Sequence, residues 1–325
     1  MARVDIVIPL YNKARCIGRA IRSILNQTVS DWRLIVVDDG STDGGGEIVQ
    51  TFDDGRIEMI RQENAGPGAA RNAGIARATS KYIAFLDADD EWLPFYLENS
   101  LQAIESHNVG LVACMFYESL FRADMTSYWA KRGVQIGRQY AIDPHTDPVQ
   151  ADWIVSFLHT DAALMHTHIA RRYGGFYDKD RCTCGEDTVL FMRIAINESY
   201  FAVGPTGVIH HREDSGLSHT VEHPLPPFLQ DPNIILDYCP GEKKELVSRV
   251  IDHMALRHAQ IRARHGRKAE AISLLGRFAG ASAFGREYRL CRRTIAVSRW
   301  MPLWVRLKCF GGACMRRFRR TRPTC

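Results

Sequence analysis

Five short apolar runs recur along the first 116 residues, and a stretch with helical spacing separates each from the next. The runs are residues 4–10, 32–37, 57–61, 82–86 and 109–116. Between them, residues 16–25 set Cys16, Ile17, Ala20, Ile21, Ile24 and Leu25 on one helical stripe. Residues 45–51, 69–78 and 94–106 supply the other helices. This alternation leaves few folds open. Parallel strands need a crossover long enough to hold a helix, and strands alternating with helices build a mainly parallel sheet with helices on both faces. Ligands of such open sheets bind beyond the carboxyl ends of the strands.

Two of the runs end in acids at that edge. The second runs into Asp38-Asp39-Gly40-Ser41-Thr42-Asp43, a turn and a helix cap. The fourth runs into Asp87-Ala88-Asp89-Asp90. Asp87 and Asp89 lie two apart, so extended backbone projects both to one side. Two hard oxygen ligands there suit Mg²⁺ or Mn²⁺. The competing reading is that Asp89 or Asp90 caps the helix beginning near Pro94. The turn after the first run, Leu10-Tyr11-Asn12-Lys13, has no G-x-G-x-x-G, and no G-x-x-x-x-G-K-[ST] occurs in the chain. A bound nucleotide would therefore need another anchor, which acidic strand ends bridged to phosphates by a divalent cation can provide.

Residues 115–160 show no clear period and are read as an extended, acceptor-facing region. Patterning resumes with a strand at 162–166, followed by Gly174-Gly175-Phe176. A helix is expected at or just after Asp187, where Glu186 and Asp187 would also favour the helix dipole. Residues 201–209 read as a strand that leads into His210-His211-Arg212-Glu213-Asp214, a histidine pair open to a structural or a metal-binding reading. Pro224-Leu225-Pro226-Pro227 marks a domain boundary. Residues 242–279 are amphipathic and helical, split by Gly266 into a hairpin.

Composition limits the classes. With 46% hydrophobic and 24% charged residues, a chain of 325 residues can bury a core and form about two domains. No apolar run reaches the roughly 18 residues of a spanning helix, and the first ten residues lack the pattern of a signal peptide. The nine cysteines are scattered, with Cys182-Thr183-Cys184 the one close pair, so reduced, cytosolic thiols are expected. The net charge of +5 conceals an asymmetry. Residues 286–325 hold twelve Lys or Arg against Glu287, leaving 30 basic against 36 acidic residues elsewhere. In that tail Val297, Trp300, Met301, Trp304 and Leu307 follow helical spacing beside Arg292, Arg299 and Arg306. Such a helix suits an anionic bilayer surface or packing on the body through its Trp face. Nucleic acid is not expected, because no nucleic-acid module accompanies the charge.

Four segments in this order resemble the family 2 glycosyltransferases of the GT-A fold: VDIVIPLYN from Val4, IVVDDGSTD from Ile35, NAGPGAARNAG from Asn64 with FLDADDEWLP from Phe85, and GGFYDKDRCTCGEDTVLFMR from Gly174. The resemblance covers roughly residues 3–220. It implies a GT-A catalytic domain at 1–223, with a donor half at about 1–114 and an acceptor half at 115–223, and a helical region with a basic amphipathic tail at 224–325. It further implies that Pro9 and Tyr11 line the nucleotide base, that Asp39 accepts a hydrogen bond from uracil, and that Arg71 reaches the base. Asp87 would contact ribose or sugar, and Asp89 would bind Mn²⁺ or Mg²⁺. Asp187 would be the catalytic base, with Glu186, His211 and Arg212 as secondary site residues. The family's late loop, matched by residues 212–218, would fold over the diphosphate, although its Tyr-Arg-x-His pattern is imperfect here. The expected activity is inverting transfer of a sugar, a hexose or N-acetylhexosamine, from a UDP-sugar to a saccharide or lipid-linked hydroxyl in polysaccharide or glycoconjugate synthesis. The setting would be the cytoplasm, peripheral to the membrane face. The alternatives are a non-catalytic sugar-nucleotide-binding scaffold and a nucleotidyltransferase. The latter usually carries a Gly-rich basic loop after strand one, which Leu10-Tyr11-Asn12 is not.

Overall fold

The computed structural model describes residues 2–215 and 224–297. By compactness the chain forms two units, Met1–Val247 and Ser248–Cys325. The first begins with the expected alternation: β1 (Val4–Leu10), α1 (Ala14–Leu25), β2 (Trp32–Asp38), α2 (Gly45–Gln50), β3 (Ile57–Arg61), α3 (Pro67–Arg77) and β4 (Tyr82–Phe85). The apolar runs are strands because every residue of β4, and all but Pro9 of β1, is buried. A two-residue strand, β5 (Glu91–Trp92), and α4 (Tyr96–His107) follow. Phe95 occupies the N-cap of α4 with no side-chain bond to the helix, so neither Asp89 nor Asp90 is its cap. Asp90 Oδ1 instead accepts from the His211 amide at 2.7 Å.

Then come β6 (Leu111–Glu118), β7 (Ala123–Asp124), α5 (Thr126–Ala130), β8 (Gln139–Tyr140), α6 (Pro148–Ser156), β9 (Ala163–His166), α7 (Thr167–Arg172), α8 (Glu186–Asn197) and β10 (Tyr200–His210). The stretch without period is therefore not uniformly extended. Asp147 caps α6 by accepting from the amides of Val149 and Gln150, with Pro148 at the first helical position. Beyond Pro224 lie α9 (Pro227–Gln230), α10 (Asn233–Leu236) and α11 (Lys244–Arg264), within which the two units divide. The second unit continues with α12 (Lys268–Arg277) and α13 (Gly285–Val297), and Gly266 takes φ 79° at the expected break. Within this unit His253 Nε2 lies 3.0 Å from Glu287 Oε2. No helix among the described residues is long and apolar enough to cross a membrane. Trp300, Met301, Trp304, Leu307 and residues 216–218 lie outside the described residues.

The sheet order is β3-β2-β1-β4-β9-β6-β10-β5, with β7 and β8 pairing off that path. Strands β1 to β4 pair in parallel, as do β6 and β10, whereas β9 runs antiparallel between β4 and β6. Leu10 pairs with Asp38 and Val7 with Phe85, so the carboxyl ends of β1, β2 and β4 share one edge. Small residues let α3 lie close to this sheet and to the loop that precedes α8. A Cβ on Gly74 would stand 2.3 Å from Val7 Cγ1, and one on Gly68 would stand 2.2 Å from the Tyr177 carbonyl oxygen.

Candidate active site

The loops at that edge are tied to one another by side-chain bonds to backbone. Asn12, at φ 51°, accepts from the Thr42 amide at 2.9 Å and donates its own amide to Ser41 Oγ at 3.2 Å. Asp39 accepts from Gln62 Nε2 at 2.8 Å and from the amides of Ala65 and Gly66 at 2.9 Å each. Its buried charge is thus met by donors, and the segment opening α3 is fixed against β2. Pro9, Tyr11, Asp39, Arg71, Asp87 and Asp89 line one pocket of about 890 Å³. These are all of the expected donor residues. Tyr11 is 49% exposed there and free to stack on a flat ligand.

Asp187 lines a second cavity beside this pocket. Gly185 takes a left-handed φ of 79° as the N-cap of α8, placing Glu186 and Asp187 in its first turn, where the dipole favours their charge. Asp187 Oδ1 accepts from the Thr188 amide at 2.6 Å, and Oδ2 accepts from Thr160 Oγ1 at 3.4 Å. Asp87, Asp89, Asp187, His211 and Arg212 line a smaller cavity of about 170 Å³ that shares Asp87 and Asp89 with the first. Acids a hundred residues apart in sequence therefore meet around one opening.

Arg71 joins the two acidic motifs. It is buried, with one terminal nitrogen 2.7 Å from Asp87 Oδ1 and the other 3.0 Å from Glu186 Oε1. Burial disfavours its charge, but the two carboxylates outweigh that and raise its pKa. Burial raises Asp87 despite Arg71. Burial and then the Asp187 charge push Glu186 up to about 7, against the pull of Arg71. Glu186 lines neither cavity; its place is on Arg71. Arg212 makes a two-pronged bond to Glu118, at 2.6 and 2.7 Å. The His211 ring reaches Glu91 at 3.1 Å and Glu213 at 3.3 Å.

Sequence reading missed a buried cluster beneath the smaller cavity. His210 Nε2 lies 2.8 Å from Asp161 Oδ2 with poor in-line geometry, and its Nδ1 lies 3.5 Å from Glu118. Burial opposes charge on His210, but Asp161 and Glu118 prevail and hold its pKa well above the usual value. Burial and the Asp161 carboxylate lift Asp90 well above the carboxylate range. Ligand atoms of Asp90, Asp161 and His210 lie within 4.8 Å of one another, a spacing that could admit a cation. A protonated imidazole, however, has no lone pair to give a metal. Nothing around Asp161 in the sequence marks it, because its burial arises only when β4, β6 and β10 assemble. Lys13 likewise carries no signal in the sequence beyond that of a turn residue three positions past the first strand.

Asp89 fits a cation better. Its carboxylate is 14% exposed and already holds one, the Lys13 ammonium at 2.6 Å. An oxygen ligand so placed, with Asp87 two residues away, suits a hard divalent ion.

Comparison with known proteins agrees with this architecture. The model of "Glycosyl transferase family 2" matches residues 5–174. Curated relatives are 35–41% identical over 102–117 residues, and the match spans only 16–44% of their own length. One is the Escherichia coli UDP-Glc:alpha-D-GlcNAc-diphosphoundecaprenol beta-1,3-glucosyltransferase WfgD, 37% identical over 110 residues, which are 34% of this chain and 44% of that protein. Among solved structures, S. aureus TarS 1-349 in complex with UDP-GlcNAc superposes with a TM-score of 0.66 at 17% identity, over 86% of this chain and 80% of that one. The Pyrobaculum calidifontis mannosyltransferase PcManGT, in complex with GDP-Man and Mn²⁺, gives 0.53 at 18% identity, over 93% and 87%. At such identities the likeness is one of fold.

Proposed function

The chain belongs to glycosyl transferase family 2, and from that premise we propose that it is an inverting glycosyltransferase using a nucleotide-diphosphate sugar. The observation that carries the reading is the meeting of Asp87 and Asp89 with Asp187 around a cavity that shares Asp87 and Asp89 with the large pocket. In this reading residues 1–223 are the catalytic domain. The base lies between Pro9, Tyr11 and Asp39, and Asp87 orients the ribose or sugar. Asp89 would hold Mn²⁺ or Mg²⁺, which when bound supplies positive charge to the leaving diphosphate. Asp187 takes the proton of the acceptor hydroxyl as its oxygen attacks the anomeric carbon from the face opposite the diphosphate. The bond to the diphosphate breaks with its electron pair going to the leaving group, so one displacement inverts the centre. Arg71 positions Asp87 and, through Glu186, the start of the helix that bears the base. UDP is the donor nucleotide favoured by the relatives described above, and a lipid-linked or saccharide hydroxyl is the acceptor. The basic segment 286–325 would hold the protein at an anionic membrane surface.

A thermal-shift panel of UDP-, GDP- and dTDP-sugars with Mn²⁺ tests the donor, since a specific ligand stabilises the fold by mass action. No stabilisation by any of them would refute the reading. Liposome co-sedimentation tests the surface: replacing Arg316, Arg317, Arg319 and Arg320 by Gln in the full chain should reduce binding to anionic vesicles, and unchanged binding would remove the tail from the proposal.

A further inference from the structure

Lys13 occupies the N-cap of α1 and makes no side-chain bond to that helix. A cation there is the reverse of what a helix N-terminus favours, and lysine is not a capping residue. Its position is explained by what it reaches. Its ammonium lies 2.6 Å from Asp89 Oδ2 and 2.7 Å from the Asp214 carbonyl oxygen. The two side chains are 22% and 14% exposed, so water and salt screen the pair only in part. The backbone that presents Lys13 is held by Asn12, whose left-handed φ and bond to Thr42 fix the turn. Arg19 secures the other side, bonding the Asp89 carbonyl oxygen and reaching Asp214 Oδ2 at 2.8 Å.

We propose that Lys13 is the resting counter-ion of Asp89, so that a divalent cation entering at Asp89 must displace the Lys13 ammonium. The proposal rests on the reading of Asp89 as a metal ligand and adds a competition that the reading lacks. Without nucleotide, the displaced ammonium loses its carboxylate partner, and metal affinity is low. A nucleoside diphosphate in the same pocket offers the freed ammonium a new anionic partner. Metal and nucleotide then assist each other through Lys13, each raising the affinity of the other by one common factor.

The test is Mn²⁺ binding to the full-length protein, followed by the electron paramagnetic resonance of free Mn²⁺, without nucleotide and with UDP. Lys13→Met keeps the stem and removes the charge. It should tighten nucleotide-free Mn²⁺ binding roughly tenfold and shrink the improvement that UDP confers. Lys13→Arg, which keeps a cation on Asp89, should stay within about threefold of wild type. Unchanged or weaker Mn²⁺ binding by Lys13→Met would overturn the competition. So would an equal gain in Lys13→Arg, which would mean that the charge on Asp89 is not what the metal displaces. If Mn²⁺ binds neither wild type nor Lys13→Met while UDP binds both, the metal assignment of Asp89 falls and this proposal with it, but the nucleotide site stands. If UDP binds neither, the donor reading itself has failed.

Discussion

Replacing Arg71 by methionine would show how the two acidic motifs are held together. Arg71 is 4% exposed, bonds Asp87 and Glu186, and lies 5.1 Å from the Phe176 ring centroid. Methionine fills much of the volume but leaves two carboxylates without their cation. Breaking a fully buried ion pair costs about 3–5 kcal/mol. Asp87 is 34% exposed at its side chain and recovers some solvation. Glu186 can escape by staying protonated, since its pKa is already about 7. A loss of about 2–3 kcal/mol near pH 8 follows. The pH dependence has a definite sign. In wild type the folded protein holds a proton on Glu186 that the unfolded chain releases above about 4.5, so the contribution of Glu186 to stability falls as pH rises to about 7 and then levels. Without Arg71 the folded pKa moves higher and the fall continues. The gap between variant and wild type should therefore widen by about 1 kcal/mol between about pH 6 and about pH 8.5, since a tenfold change in proton affinity is worth about 1.4 kcal/mol. Urea unfolding followed by tryptophan fluorescence and circular dichroism at both pH values measures it. Adding Glu186→Gln should abolish the widening. A loss independent of pH, or a double variant with the same widening, would refute the account of Arg71 and Glu186.

Asp187→Asn should lower sugar transfer by at least about a hundredfold while nucleotide binding measured by calorimetry stays within error; transfer at the wild-type rate would dismiss Asp187 as the base. Gly74→Ala should cost about 1–3 kcal/mol in a thermal melt, because the new methyl would stand 2.3 Å from Val7 in a buried strand; an unchanged melting temperature would show that α3 moves freely off the sheet. His210→Phe should destabilise by about 2–4 kcal/mol in urea at neutral pH by stranding Asp161, whereas Glu118 keeps its bonds to Arg212. With the folded pKa of His210 raised, its stabilisation is complete below about pH 6.5 and is lost as pH climbs through the folded value. The deficit should therefore narrow in alkali, and a deficit that grows with pH would contradict a charged His210.

The sequence alone determined the parallel half of the sheet and the acids at its edge. Period and composition suffice for this, because a strand covered on both faces is apolar nearly throughout, the buried Asp5 of β1 being the exception met by Arg33 and the amides of Thr79 and Ser80, and a polar end marks where the chain leaves the core. The ends of β2 and β4 therefore showed Asp39 and Asp87 directly, and the apolar residues after Asp187 marked α8, which starts one residue earlier than expected, at Glu186. Residues 115–160 were opaque for a physical reason. Their helices and strands are short, and α6 is identified chiefly by the Asp147-Pro148 cap rather than by a repeating stripe. The antiparallel insertion of β9 between β4 and β6 could not be read locally either, since one short apolar run pairs equally well in either direction.

Only the tertiary structure decided which charges meet. It gave Arg71 to Asp87 and Glu186, Lys13 to Asp89, His210 to Asp161 and Glu118, and turned Asp90 from a supposed helix cap into an acceptor for the His211 amide. A charge carries no periodicity, and its partner is chosen by distance and burial once the backbone has folded. The sequence thus specified an acidic strand end, and the fold supplied the lysine that sits on it.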